Sequence, residues 1–241
     1  MRETDRLNVS ERVRYQRDDD VAIITMDDGK VNALSNDMFA ALNDAFDRAD
    51  ADGLIVVLAG REGILSAGFD LRTLQAGGVD AVEMLKSGFE LAYRMLSFPS
   101  PVIVACTGHA MAMGVFLVLS GDYRIGPADP DVKVVANEVA IGLTMPRAAV
   151  EICRQRLHPA HLPRAVNLAE QYTPEEAVGA GFLDRVVSPT EVVATAVETA
   201  HSMTLLNRAA HTGTKLRLRE HTLAALRAAI DADDAELRAL L

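Results

Sequence analysis

The chain runs in blocks of apolar and polar positions, and the spacing inside each block predicts its element. Residues 13–17 and Val21–Met26 flank Asp18-Asp19-Asp20 and predict a β-hairpin. Beyond Ser35, residues Met38, Leu42, Ala45, Phe46 and Ala49 recur at three-to-four spacing, the stripe of an amphipathic helix. Residues 54–59 and 102–106 are short, unbroken apolar runs suited to strands buried on both faces of a parallel sheet. A loop over 60–69 and a helical stretch follow the first run. Past Gly77-Gly78 a helix is predicted over 79–96, broken by Pro99 and Pro101. The second run leads to an apolar helix from about Met113 to Gly121. Strand, loop and helix thus recur about 48 residues apart, from Leu54 to Val102, which predicts a layered α/β domain with crossovers.

Residues 132–136 predict a further strand, and Pro146 opens a helix that runs to Leu157. Thr173-Pro174-Glu175-Glu176 combines an N-cap, proline at N1 and a capping-box glutamate, and Gly181 closes that helix. From Pro189 onward the pattern is helical and rich in Ala, Leu and Arg. The chain therefore divides into an α/β core over 1–187 and a helical C-terminal subdomain over 188–241, with residues 1–12 polar and frayed.

Composition narrows the function. Of 241 residues, 49% are hydrophobic, enough for one sizeable core. A net charge of −10 argues against a nucleic-acid binder, which carries a basic face. Cys106 and Cys153 stand far apart in apolar stretches and read as reduced, buried thiols of a cytoplasmic protein. Residues 1–10 are charged and lack the apolar centre of a signal peptide. The longest apolar run, 110–119, is about half a membrane span, so a soluble protein with no membrane partner is expected.

Two glycine-containing turns stand where a strand hands over to a helix: Ser66-Ala67-Gly68-Phe69-Asp70-Leu71 and Gly108-His109-Ala110-Met111-Ala112-Met113-Gly114. Such turns leave backbone N–H groups unpaired at the positive end of a helix. Two of them on consecutive units can converge on one oxygen atom, as an oxyanion hole requires. On pattern alone, Gly68 and Gly114 read first as residues that only permit tight turns.

These segments resemble the crotonase (enoyl-CoA hydratase/isomerase) superfamily. Ser66 to Leu71 is similar to its first signature; Pro101-Val102-Ile103-Val104-Ala105-Cys106-Thr107-Gly108 leading to Gly121-Asp122 is similar to its second. Asn32-Ala33-Leu34-Ser35 resembles the early Asn-Ala-Leu element. Glu175-Glu176-Ala177 through Gly181-Phe182-Leu183-Asp184-Arg185-Val186-Val187 resembles the late one. The similarity covers about residues 13–188, in order. It implies a spiral of ββα units followed by helices that pack between subunits, giving a homotrimer or a dimer of trimers. It implies an acyl-CoA substrate and no separate cofactor, coenzyme A being part of the substrate, and no metal.

By the same resemblance, the backbone N–H of Ala67 is one oxyanion donor and that of Met113 the second, with Gly68, Phe69, Asp70 and Gly114 around the thioester. Met113 stands where the family pattern has glycine, and its thioether is expected to narrow the pocket. Family hydratases hold water between two glutamates. The first falls on Phe116, which is apolar here as in the family's Δ3-Δ2-enoyl-CoA isomerases; the second falls on Glu138, with Pro146 eight residues on. A lone carboxylate among Val139, Ile141, Phe116 and Met113 should have a raised pKa, as a proton shuttle needs, whereas a bare glutamate at a strand end usually faces solvent. Lys30 and Ala33 are the positions along the CoA moiety, with Arg72 and Lys215 as further candidates for its phosphates. Met84, Leu85 and Phe89 fall where relatives line the acyl tunnel.

Other residues read more plainly. Asp70 suits a helix N-cap, Asp122 a holder of the Tyr123-Arg124 turn, and His109 packing. His158 and His161 lack the third donor that a metal site needs. Three functions remain open from the sequence: double-bond isomerisation with Glu138 as shuttle, hydration of a 2-enoyl-CoA, and acyl-CoA binding without catalysis.

Overall fold

The structure is a computed structural model, and it describes residues 6–8 and 12–241. Its main sheet has seven strands: β1 (Arg6–Asn8), β2 (Val13–Asp18), β3 (Val21–Met26), β5 (Ile55–Ala59), β8 (Val102–Ala105), β10 (Tyr123–Pro127) and β12 (Arg185–Val187), in that order across the sheet. β1, β2 and β3 are antiparallel, and every later pairing is parallel. β4 (Ala33–Leu34) pairs with β7 (Gly68–Phe69) apart from it. A smaller parallel sheet holds β6 (Gly63–Ser66), β9 (Gly108–Met111) and β11 (Val134–Val135) in the order β11-β9-β6.

The recurrence seen in the sequence is this spiral. Each unit contributes one strand to each sheet and then turns into helix: β5 and β6 lead to α2 (Leu71–Ala76) and α3 (Gly78–Ser97), and β8 and β9 lead to α4 (Met113–Leu119). β10 and β11 lead through a 3₁₀ turn at Val139–Ile141 to α5 (Arg147–Arg154), then α6 (Leu162–Asn167) and α7 (Pro174–Ala180). The α/β class, the hairpin and the helix after Ser35, α1 (Asn36–Ala51), are as expected; Ser35 caps α1 by accepting from Met38 N. Thr173 and Glu176 form the predicted capping box of α7, and Gly181 takes the left-handed conformation.

The differences have local causes. The strands β6, β7, β9, β10 and β12 escaped notice because they are short and lack a distinct apolar alternation. The strand at 132–136 shrinks to Val134–Val135, and Pro146 is the residue before α5, which stops at Arg154. Residues 6–8 pair with β2 rather than fray; the rest of the expectation for 1–12, at 1–5 and 9–11, lies outside the described residues.

The unbroken apolar runs are buried on both faces. Val56, Leu58, Val102 and Val104 face the main core with α1, α3 and α4. Ile55, Val57, Ala59, Ile103 and Ala105 face α8 (Val192–Met203) through Val192, Ala196 and Ala200. α9 (Arg208–Leu218) and α10 (Glu220–Arg238) follow, and α10 packs back on α3 and α5 of the same chain. Asp122 is more than the turn holder expected. Its carboxylate accepts from Val102 N at 2.8 Å, Lys215 Nζ at 2.6 Å and Arg219 at 2.9 Å, and so binds α9 and α10 to the core. Lys215 is therefore buried and paired, unavailable for CoA phosphates, and burial pulls its pKa down to about 8 even beside Asp122. Both cysteines are free and buried. No helix among the described residues is long and apolar enough to cross a membrane.

Candidate active site

The first corner is built around Asn32, which is fully buried. Its side-chain amide donates to the Met26 and Leu65 carbonyls, both at 3.0 Å, and its own carbonyl accepts from Ser66 Oγ at 2.7 Å. Ser66 Oγ in turn accepts from Gly68 N at 3.0 Å. Asp28 binds the amides of Lys30, Asn32 and Ala33. The Asn-Ala-Leu element thus braces this corner, and Lys30 and Ala33 are not among the residues lining the cavity described below.

Ala67, expected as an oxyanion donor, gives its N–H to the Val31 carbonyl at 3.0 Å, so that amide is not free. Asp70 N donates to Leu34 O on β4 at 3.1 Å. Successive amides of an extended strand point to opposite sides, which turns the Phe69 N–H away from β4. The amide left without a strand partner at this corner is therefore that of Phe69, two residues along from the expected one. The signal was available in Gly68: the residue after a glycine with φ of 98° has its amide re-aimed by that turn. Asp70 behaves as read, capping α2 by accepting from Thr73 N at 2.9 Å.

At the second corner Ala112 takes φ 49° and ψ −127°, an uncommon conformation for a residue with a Cβ. Met113 follows as the first residue of α4. Its N–H and that of Gly114 have no hydrogen-bond partner among the described residues, as expected for a first helical turn. The two corners touch. A Cβ built on Gly68 would lie 2.7 Å from Ala112 Cβ and 3.3 Å from Met113 N, and one on Gly114 would lie 2.6 Å from Ser66 O. Both glycines are needed for this approach. The Met113 side chain is buried in the core and lines no part of the cavity, so the expected narrowing does not occur.

Beside the corners lies a cavity of about 550 Å³, a volume suited to a small organic ligand. Ala67, Phe69, Met111 and Ala112 border it, with Leu74, Leu85 and Phe89 along one wall. Phe116 is fully buried behind Phe89, ring centroids 6.3 Å apart, and does not reach the cavity. Met84 is likewise core. The sequence reading missed the opposite wall: Ile230, Asp233, Asp234, Glu236 and Leu237 of α10 face the same space, because only the tertiary path of the C-terminus brings them there.

Glu138 lines this cavity and is 6% exposed, not solvent-facing. It opens the 3₁₀ turn, and its carbonyl accepts from Ile141 N and Leu143 N. Burial pushes its carboxyl up to about 7, offset in part by its own backbone N–H, and Oε2 has no partner. The cause is desolvation, as expected; of the expected neighbours Ile141 lines the same cavity, whereas Val139 is exposed and the Phe116 and Met113 side chains stand off it. The other cavity carboxylates are paired, Asp233 and Glu236 with Arg147 and Asp234 with Lys86. His109 accepts from Lys133 N, and His158 and His161 meet edge to face with ring centroids 6.1 Å apart; no group of three or more metal-binding side chains occurs among the described residues. Arg72 is exposed.

A spiral of ββα units whose two strand-to-helix corners touch is a fold of the crotonase type. The enoyl-CoA hydratase/isomerase family profile matches residues 16–240, and the chain belongs to that family. Two structures of one Mycobacterium tuberculosis protein, described once as a probable enoyl-CoA hydratase and once as an enoyl-CoA isomerase, are 48% identical to it. They superpose with TM-scores of 0.91 and 0.90, covering 94% of this chain and 96% and 99% of theirs. Human mitochondrial Δ3-Δ2-enoyl-CoA isomerase matches at 26% identity and a TM-score of 0.88, over 95% of this chain and 92% of its own. Carnitinyl-CoA dehydratase of Salmonella arizonae is 29% identical over 81% of this chain and 75% of its own length.

Proposed function

We propose that this protein moves a double bond of an acyl-CoA from the 3,4 to the 2,3 position. The observation that carries the reading is a carboxylate, Glu138, buried with Oε2 unpartnered at a cavity that Phe69 and Ala112 border, where the two strand-to-helix corners touch. Removing the C2 proton shifts charge onto the thioester oxygen. The Phe69 and Met113 N–H groups, preset at that point, stabilise the dienolate more than the ground state. Glu138 takes the C2 proton, the electron pair spreads over the dienolate, and the proton returns from Glu138 to C4. No atom is gained or lost, so a single shuttle suffices. A pKa of about 7 lets the same group accept and donate near neutrality.

Hydration is the second reading, favoured by the names of several relatives. It asks for a second carboxylate to hold water; the position that would supply one is the buried Phe116, and the remaining cavity carboxylates are neutralised by cations. Assay of purified protein against 3-enoyl- and 2-enoyl-CoAs of several lengths separates the readings. Conversion of the 3-enoyl form with slow loss of 2-enoyl absorbance is expected; rapid hydration overturns the ranking. Binding with no product from either substrate leaves an acyl-CoA-binding protein. Exposed Leu168, Leu205 and Leu218 support assembly into trimers or paired trimers, and a light-scattering mass of one subunit would contradict it.

A further inference from the structure

α5 has no side-chain cap from its own sequence: the preceding residue is Pro146, which makes no capping bond. α1, α2, α7 and α9 are capped locally by Ser35, Asp70, Thr173 and Asn207. The acid at the start of α5 comes from α10. Asp233 Oδ2 accepts from Ala148 N at 3.0 Å, and Oδ1 accepts from Arg147 N at 3.3 Å and the Arg147 guanidinium at 2.9 Å. Its side chain is only 12% exposed, and Glu236, three residues further on, holds the same guanidinium at 2.7 Å.

This cap sits between two parts of one cavity wall. On α10, Ile230 and Leu237 flank Asp233 and line the cavity. Leu143, Thr144, Met145 and Pro146 before α5, and Arg147 at its start, line it too, and Leu143 N donates to the carbonyl of Glu138 at 2.9 Å. Asp233 therefore ties α10, which carries Ile230 and Leu237, to the start of α5, and backbone 143–147 joins that start to the turn carrying Glu138. We propose that Asp233 is a positioning residue that couples occupancy of the α10 wall by an acyl chain to the placement of Glu138. Acyl chains long enough to press on Ile230 and Leu237 are then turned over faster than short ones, although both offer the same reacting atoms.

The proposal rests on the isomerase reading for its kinetic arm only. In that arm, Asp233→Ala lowers kcat for a 12-carbon 3-enoyl-CoA by roughly tenfold to a hundredfold, the scale of a small misplacement at a reacting centre. The 6-carbon substrate changes less than about twofold, and KM moves little for either. The kcat pH midpoint falls from about 7 toward the ordinary carboxylate range as Glu138 loosens into water. Asp233→Asn, which keeps an acceptor for Ala148 N, restores part of the loss and substitutes for the alanine variant if that one fails to fold. Glu220→Ala, which removes an exposed charge at the start of α10 and outside the cavity lining, leaves both substrates unchanged. The second arm needs no turnover. Hydrogen exchange of amides 138–148 is followed with dodecanoyl-CoA and with butyryl-CoA. Greater protection with the longer chain in the native protein, lost in the Asp233 variants, is expected. Protection independent of chain length, or unchanged in the variants, overturns the coupling even if isomerisation is real. Absence of isomerisation with chain-length-dependent protection refutes the reaction and keeps the coupling.

Discussion

Replacing Glu138 with glutamine should make the protein more stable and inactive at once, and the size of the first effect follows from the structure. Burial raises the carboxyl from 4.5 to about 7. At 1.36 kcal/mol per pKa unit, the ionised form is disfavoured in the folded state by about 3 kcal/mol. The sign follows from linkage. A carboxyl whose folded pKa is raised binds more protons folded than unfolded between those two values. Stability from this group is therefore full below pH 4.5 and is lost as pH rises to about 7. Glu138→Gln removes that loss. At pH 8 the variant should exceed the native protein by up to about 3 kcal/mol, roughly 6–12 °C in Tm for a chain of this length, and at pH 4 the two should coincide. Thermal melts at both pH values read this directly, while turnover of a 3-enoyl-CoA should fall roughly 10²–10⁴-fold with acyl-CoA binding retained. Equal stability at pH 8 would refute the claim that desolvation destabilises this carboxylate, and full activity would refute its role.

Three further outcomes test the corners and the frame. Gly68→Ala puts a Cβ 2.7 Å from Ala112 Cβ and 3.3 Å from Met113 N at φ 98°; activity should fall at least about 10²-fold, with a loss of about 1–3 kcal/mol in urea unfolding. Ala112→Gly relieves the strain at φ 49° and should raise stability by up to about 1 kcal/mol, read as a higher urea midpoint at unchanged m-value. Asp122→Ala strands the buried Lys215 and Arg219 and should cost about 3–5 kcal/mol, seen as a large drop in Tm, whereas Asp50→Ala, at an exposed ion pair, should cost less than about 1 kcal/mol.

Much of the frame was legible because burial on both sides of a strand leaves an unbroken apolar run, and a helix buried on one side leaves a stripe. Residues 54–59, 102–106 and the Met38-to-Ala49 stripe carried the α/β class by themselves, and the capping signals at Ser35, Asp70 and Thr173 are local chemistry that survives any fold. Gly68, Gly114 and Glu138 were also readable, as positions in a resembling pattern. What a linear pattern does not carry is direction. Whether the amide of Ala67 or of Phe69 is free depends on which segment lies alongside; the Val31 carbonyl takes Ala67 and β4 takes Asp70, leaving Phe69. Lys215 read as a surface cation, yet Asp122, remote in sequence, draws it into the core. The α10 wall and the Asp233 cap depend on the C-terminal helix folding back on its own chain, a contact between residues more than eighty apart that no local period records. Local forces set the elements; the aim of each donor and the shape of the cavity came from long-range packing, where the energy of a group depends on neighbours the chain supplies only once it has folded.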